Sequence, residues 1–65
     1  IMTSQSYAEI FFLRGLKYSL RNEKEKALDE FEKVIKNSPN FFKKNDDLIF
    51  HVPGELKAIF NLYSL

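Results

Sequence analysis

The apolar positions of the N-terminal third of the chain recur at helical spacing. From Tyr7 to Leu20 there is no proline, and at about 100° per residue the apolar side chains fall on two stripes. The first stripe consists of Tyr7, Phe11, Gly15 and Tyr18. The second consists of Phe12, Leu16 and Leu20, with Leu13 at its edge. A helix with two apolar faces must be covered on two sides, so the pattern predicts more than one packing neighbour.

A second helical pattern runs from Lys24 to Asn37 and has one apolar face. Its members are Ala27, Leu28, Phe31, Val34 and Ile35. Acidic residues from Glu23 to Glu32 alternate with lysines, and we expect them to form a solvated face. The spacing predicts two ion pairs one turn apart. These are Asp29–Lys33 and Glu32–Lys36.

Two short breaks separate these patterns from each other and from the rest of the chain. Asn22 tolerates the left-handed conformation that ends a helix, and Glu23 suits the beginning of the next one. Pro39 pushes the preceding residue out of helical conformation, so we expect the second helix to end there.

The C-terminal third has a weaker pattern followed by a third helical one. Residues 41–51 predict either a short helix or a packed loop, and Asp46 and Asp47 are candidate caps for a helix near Leu48. Pro53 is a favourable first-turn residue for the next helix. The apolar residues of that helix are Leu56, Ile59, Phe60, Leu62, Tyr63 and Leu65.

Together these patterns predict an all-α fold, an antiparallel helix-turn-helix hairpin with a third packing or capping helix. We divide the chain into an N-terminal extension (1–6), the hairpin (7–40), a connecting segment (41–53) and the third helix (54–65). Because Ile1 precedes Met2, and because the sequence ends within an apolar periodic stretch, we expect the chain to be a piece of a longer protein.

Composition excludes several classes of function. The 65 residues include no cysteine, which rules out disulfides and thiolate metal sites. A net charge of +1 gives no basic footprint for nucleic acid or acidic membranes. No apolar run reaches the length of a membrane span, and no signal peptide is evident. We therefore expect no nucleic-acid partner, no membrane insertion and a cytoplasmic location.

The sequence offers little chemistry for catalysis or metal binding. His51 with Asp46 and Asp47 is the one cluster of metal-ligand type, and it lacks a second histidine. A solvated turn explains these residues better. No Ser/His/Asp or Cys/His set and no glycine-rich phosphate loop is present. We expect a protein that is not an enzyme, with no cofactor and no metal.

The first two helical patterns resemble a tetratricopeptide repeat. The resemblance is carried by seven residues at the family's spacing: Phe11, Gly15, Tyr18, Ala27, Phe31, Val34 and Pro39. Arg14, where a leucine is usual, and Asn22, in place of the turn glycine, are departures. Glycine costs about 1 kcal/mol of helix propensity relative to alanine, which is sensible where a second helix must approach closely. A single repeat cannot bury its own faces, so the resemblance implies that the third helix is either a cap or the start of a second repeat.

The resemblance implies a protein-binding module, a scaffold or adaptor that takes a hydrophobic protein segment on the first helix. Some family members place lysine and asparagine there to hold a carboxylate, whereas this chain has Phe12 and Leu16, which argues against such a clamp. The alternative is that this face is core, covered by the third helix. The candidate partner-binding residues are Glu9, Phe12, Leu13, Leu16, Leu20, Phe60 and Tyr63.

A second hypothesis is structural self-association. One apolar stripe on the second helix covers only one of the two on the first, and the third helix has apolar residues on several sides. Some apolar surface therefore stays uncovered in a monomer, and such a patch normally marks an interface. We expect a homodimer, formed by surface contact or by exchange of the third helix.

Overall fold

Two long helices joined by a short turn dominate the architecture. A computed structural model describes residues 3–59, apart from the side chains of Gln5, Leu56 and Ile59. Helix α1 spans Ser4–Leu20 and helix α2 spans Lys24–Asn37. They pack along each other as an antiparallel hairpin, as the short connection requires. The all-α prediction is confirmed over the described residues.

Helix α1 begins three residues earlier than the apolar pattern predicts. Thr3 caps it, because the backbone N–H of Ser6 donates to Thr3 Oγ1 at 3.2 Å. The backbone N–H of Tyr7 also donates to the Thr3 carbonyl at 3.0 Å. Residues 4–6 therefore belong to the helix and not to an extension. Because the first turn of α1 is polar, it shows no apolar periodicity. The capping residue Thr3 was therefore the only sign in the sequence of where α1 begins.

The turn between α1 and α2 has the predicted left-handed residue. Asn22 has a φ of 59°, and the backbone N–H of Glu23 donates to the Tyr18 carbonyl at 2.9 Å. These features close the last turn of α1 and reverse the chain within three residues. Helix α2 then starts and ends where the sequence predicts, with Ser38 leaving helical conformation before Pro39.

The core forms where α1, α2 and the segment after α2 meet. Its buried residues are Ala8, Phe12, Ala27, Phe31, Val34, Phe41, Phe42 and Val52. Gly15 lies against Phe31: a Cβ added to the glycine would stand 2.7 Å from Phe31 Cε1 and 2.9 Å from two further ring atoms. The ring thus occupies the space that any side chain at position 15 would need.

The buried face of α2 is rotated from the predicted one. Leu28 and Ile35 are only partly buried, whereas Glu30 is 5% exposed. The prediction that the acidic residues of this helix are all solvated is therefore wrong for Glu30. Its carboxylate is balanced by Lys33 Nζ at 3.2 Å and Arg14 Nη1 at 3.8 Å. Burial of a carboxylate is tolerated when such partners are present.

The predicted ion pairs along α2 are confirmed. Lys33 Nζ lies 3.2 Å from Asp29, and Lys36 Nζ lies 3.1 Å from Glu32. Exposed pairs of this kind contribute only a few tenths of a kcal/mol each.

The connecting segment folds into two short helical pieces. Helix α3 spans Phe41–Lys44, and a 3₁₀-helix spans Asp46–His51. Asn45 joins them and donates through Nδ2 to the Phe41 carbonyl at 3.0 Å. Asp46 and Asp47 lie inside the 3₁₀-helix and cap nothing, so that prediction is wrong. Helix α3 leads through Asn45 directly into the 3₁₀-helix, so no free helix N-terminus is left for an aspartate to cap.

Helix α4 spans Gly54–Ile59 within the described residues and starts after Pro53, as predicted. Lys24 Nζ at the start of α2 lies 3.0 Å from Glu55 Oε1, which ties the beginning of α4 to the hairpin turn. The remainder of the predicted third helix, residues 60–65, lies outside the described residues.

We predict that Gly15→Ala destabilises the chain by about 1–3 kcal/mol, because the new methyl group overlaps the buried Phe31 ring. The loss should shrink in a Phe31→Leu background, where the ring is absent. Urea unfolding followed by circular dichroism measures all four members of this cycle. A Gly15→Ala protein that is more stable by the propensity gain alone would contradict the tight contact.

A second prediction concerns the stability of the chain at acidic pH. The hydrogen bond from Lys26 and the charges of Arg21, Lys26 and Lys17 hold the pKa of Glu23 below its ordinary value of 4.5. The stabilisation this gives is present above the unfolded-state pKa and is lost as pH falls through the lower folded-state value. The melting temperature of the wild type should therefore fall more steeply below pH 4.5 than that of Glu23→Gln. Parallel pH profiles for the two proteins would contradict this.

Candidate functional site

The outward face of α1 carries large apolar side chains that nothing in the described residues covers. Leu13 is 63% exposed and Leu20 is 87% exposed. Leu16, between them, is partly buried against the core, and Glu9 extends the face toward the N-terminus in an exposed position. Together with the half-buried Ser6 these residues lie at alternating spacings of three and four. We call this set the α1 seam: Ser6, Glu9, Leu13, Leu16 and Leu20.

The seam faces outward because the opposite side of α1 is fixed against α2. Gly15 is buried against Phe31, and Leu13 precedes it by two positions, which is more than half a helical turn. The roll of α1 that brings Gly15 to the α2 surface therefore turns Leu13 away from it. Ala8, about two turns before Gly15 on the same side of α1, is likewise fully buried.

Phe12 does not lie on the outward face. It is 3% exposed, and its ring centroid lies 5.6 Å from Phe41, 5.8 Å from Phe42 and 5.9 Å from Phe31. Such tilted and edge-on aromatic pairs are favourable packing geometries. The sequence left two alternatives for Phe12, a binding groove or the core, and this residue belongs to the core. Its cover is the Phe41–Phe42 pair, whereas the sequence suggested the third helix.

The remaining predicted partner-binding residues divide into two groups. Glu9, Leu13, Leu16 and Leu20 lie together on the α1 seam. Phe60 and Tyr63 lie outside the described residues.

Among the described residues, the charged side chains beside the seam form no ion pairs, whereas Arg14 and Arg21 do. Arg14 interacts with Glu30 of α2, and Arg21 Nε lies 3.2 Å from Glu23 Oε2. Among the described residues Glu9 has no ion pair, and Lys17 contacts only the ring of Tyr18, 4.8 Å from its centroid. Within residues 3–59, neither Glu9 nor Lys17 is thus held in a direct ion pair, although the charge of Lys17 acts on Glu23 at longer range.

Apart from the α1 seam, the hairpin has a concave surface with a volume of about 520 Å³. Its charged lining residues are Arg14, Lys26, Lys33, Glu25, Asp29 and Glu30. The hydrogen bonds from Lys33 to Glu30 and Asp29 raise the pKa of the lysine, so it stays protonated. Bases and acids balance here and largely pair with one another, so the surface selects neither anions nor cations.

In the described part of the chain, the candidate metal ligands from the sequence do not form a binding site. His51 is exposed at the end of the 3₁₀-helix, and within residues 3–59 no three ligating side chains come together in a way that would hold a metal ion. None of the helices in that part of the chain has the length and apolar character needed to cross a membrane.

The sequence reading missed the exposure of Phe50. This side chain is 80% exposed, with Lys57 Nζ 5.8 Å from its ring centroid. Its neighbours Leu48 and Ile49 turn toward the core. Three consecutive apolar residues in a tight helix cannot all face one way, so one exposed residue was implied, but the sequence does not say which.

Comparisons with protein-family models, with curated proteins and with solved structures find no match for this chain. The described geometry is therefore the basis for any statement about function.

We predict that Phe12→Ala and Leu13→Glu differ sharply in their effect on stability. Loss of the buried Phe12 ring should lower the free energy of unfolding by about 3–5 kcal/mol, so that most molecules of so small a domain are unfolded. Leu13→Glu should change the free energy of unfolding by about 0.5 kcal/mol or less, because the side chain already faces solvent. Thermal melts of dilute samples measure both. Equal losses would show that Leu13 is covered in the folded chain.

Proposed function

We propose that this chain is a non-catalytic protein–protein interaction module, a scaffold or adaptor of tetratricopeptide type, whose contact surface is the α1 seam. The observation that carries the proposal is the outward position of Leu13 and Leu20 on a helix whose opposite face is packed. Apolar side chains grouped along one helix face lose contact with water when a partner docks on them, which favours association.

The contacts inside the hairpin support its assignment to the tetratricopeptide type. Gly15 sits against the Phe31 ring, and Ala27 and Val34 are fully buried. Gly15 and Ala27 are small, which allows the two helices to approach closely at these positions. The assignment remains our proposal and rests on these contacts together with the spacing of the seven residues.

The partner that best fits the seam is an amphipathic helix. A row of apolar side chains along one helix matches the apolar stripe of another, in the same way that helices pack in coiled coils. An extended strand would instead need unpaired backbone groups on the module, and the backbone of α1 is occupied by its own helical hydrogen bonds.

The experiment is a selection from a displayed library of amphipathic peptides of about 15 residues, long enough to form a helix on binding. We predict that enriched peptides carry leucine or phenylalanine at spacings of three and four. Their affinity should fall about tenfold or more for Leu13→Glu or Leu20→Glu, because each places a charge in the contact.

Lys43→Gln on α3 is the matched control, since this exposed lysine lies off the seam and the substitution lowers the net charge by the same single unit. Selected peptides should bind the control as they bind the wild type. Failure to enrich any helical peptide, or enrichment of peptides indifferent to Leu13→Glu, would overturn the proposal.

A further inference from the structure

We infer that the amphipathic helix suited to the α1 seam is α1 of a second copy of this chain, paired in antiparallel orientation. The inference rests on the proposed function and specifies its partner. The spacing of the seam and two charges beside it, Glu9 and Lys17, support this partner.

The seam has the spacing of a two-stranded coiled coil over two heptads. Ser6, Leu13 and Leu20 are seven residues apart, and Glu9 and Leu16 are seven apart between them. This three-four repeat is the narrow stripe that lets two helices pack along each other. Ala8, Phe12 and Gly15, on the face of α1 that packs on α2, have the same spacing but are buried, whereas Leu13 and Leu20 are exposed. The two faces therefore suit two different neighbours.

The position of Glu9 selects the orientation. In a parallel pair, residues at the same seam position meet, so the two Glu9 carboxylates would lie next to each other and repel. In an antiparallel pair, Glu9 of each copy lies near the C-terminal half of the other α1, where Lys17 flanks the seam. Neither charge forms an ion pair among the described residues, so no direct ion pair is broken when this contact forms.

The size of the contact predicts a weak dimer. One face of a 17-residue helix buries less area than a standard interface of about 800 Å² per partner. We expect a dissociation constant on the order of 100 µM, so that about half of the chains are dimeric at about 100 µM and most are dimeric at about 1 mM.

Charge reversal tests the orientation and the partner together. Glu9→Lys and Lys17→Glu each place like charges opposite each other at both ends of the antiparallel pair. Sedimentation equilibrium should show each single variant dimerising about tenfold more weakly than the wild type. An equimolar mixture of the two variants restores opposite charges at both ends, and it should associate at least as well as the wild type.

Matched controls are Glu25→Lys and Lys43→Glu, which make the same charge changes at exposed positions away from the seam. They should dimerise as the wild type does, and their mixture should show no gain. Far-ultraviolet circular dichroism confirms that every variant is folded. A wild type that stays monomeric at about 1 mM, or single variants that dimerise like their controls, would overturn the inference.

A failure of this inference is distinguishable from a failure of the proposed function. If the charge-reversal mixture shows no recovery while selected peptides still bind in a Leu13-dependent way, the seam is an interface and its partner is not a second copy. If neither association depends on Leu13, both proposals are wrong.

Discussion

The contact between Gly15 and the Phe31 ring is the constraint on which the rest of the structure depends. An aromatic ring packed directly on a helix backbone fixes both the distance between α1 and α2 and the roll of α1 about its own axis. Once that roll is set, Ala8 and Phe12 must face inward, and Leu13 and Leu20 must face outward. The candidate interface is thus a geometric consequence of how the core is built.

The second requirement is a cover for Phe12, and the segment after α2 provides it. Phe41 and Phe42 stand edge-on to each other, with ring centroids 5.2 Å apart, and both contact the Phe12 ring. A hairpin this small has little apolar surface to bury, so the Phe12 ring and the three rings around it supply much of its packing. This cover lies over Phe12, whereas Leu13 and Leu20 of the seam stay exposed.

The sequence predicts the strongly periodic parts well. The bounds of α2, the left-handed Asn22 and the two ion pairs along α2 follow from local rules that tertiary contacts do not override. The burial of Glu30 was not predictable in this way, since one of its two cationic partners, Arg14, lies on another helix. Separation of Phe12 from Leu13 likewise depends on Phe41 and Phe42, which carry too weak a pattern to be placed from spacing alone.

The central claim is that one face of α1 is core while the opposite face stays accessible in a single chain, and thiol labelling tests it most directly. The protein has no cysteine, so each single-cysteine variant reports one position. In dilute solution, Leu13→Cys and Leu20→Cys should react with a maleimide as fast as a free thiol, while Val34→Cys stays protected. Protection of both α1 thiols under those conditions would show that the chain covers this face itself, which contradicts the account.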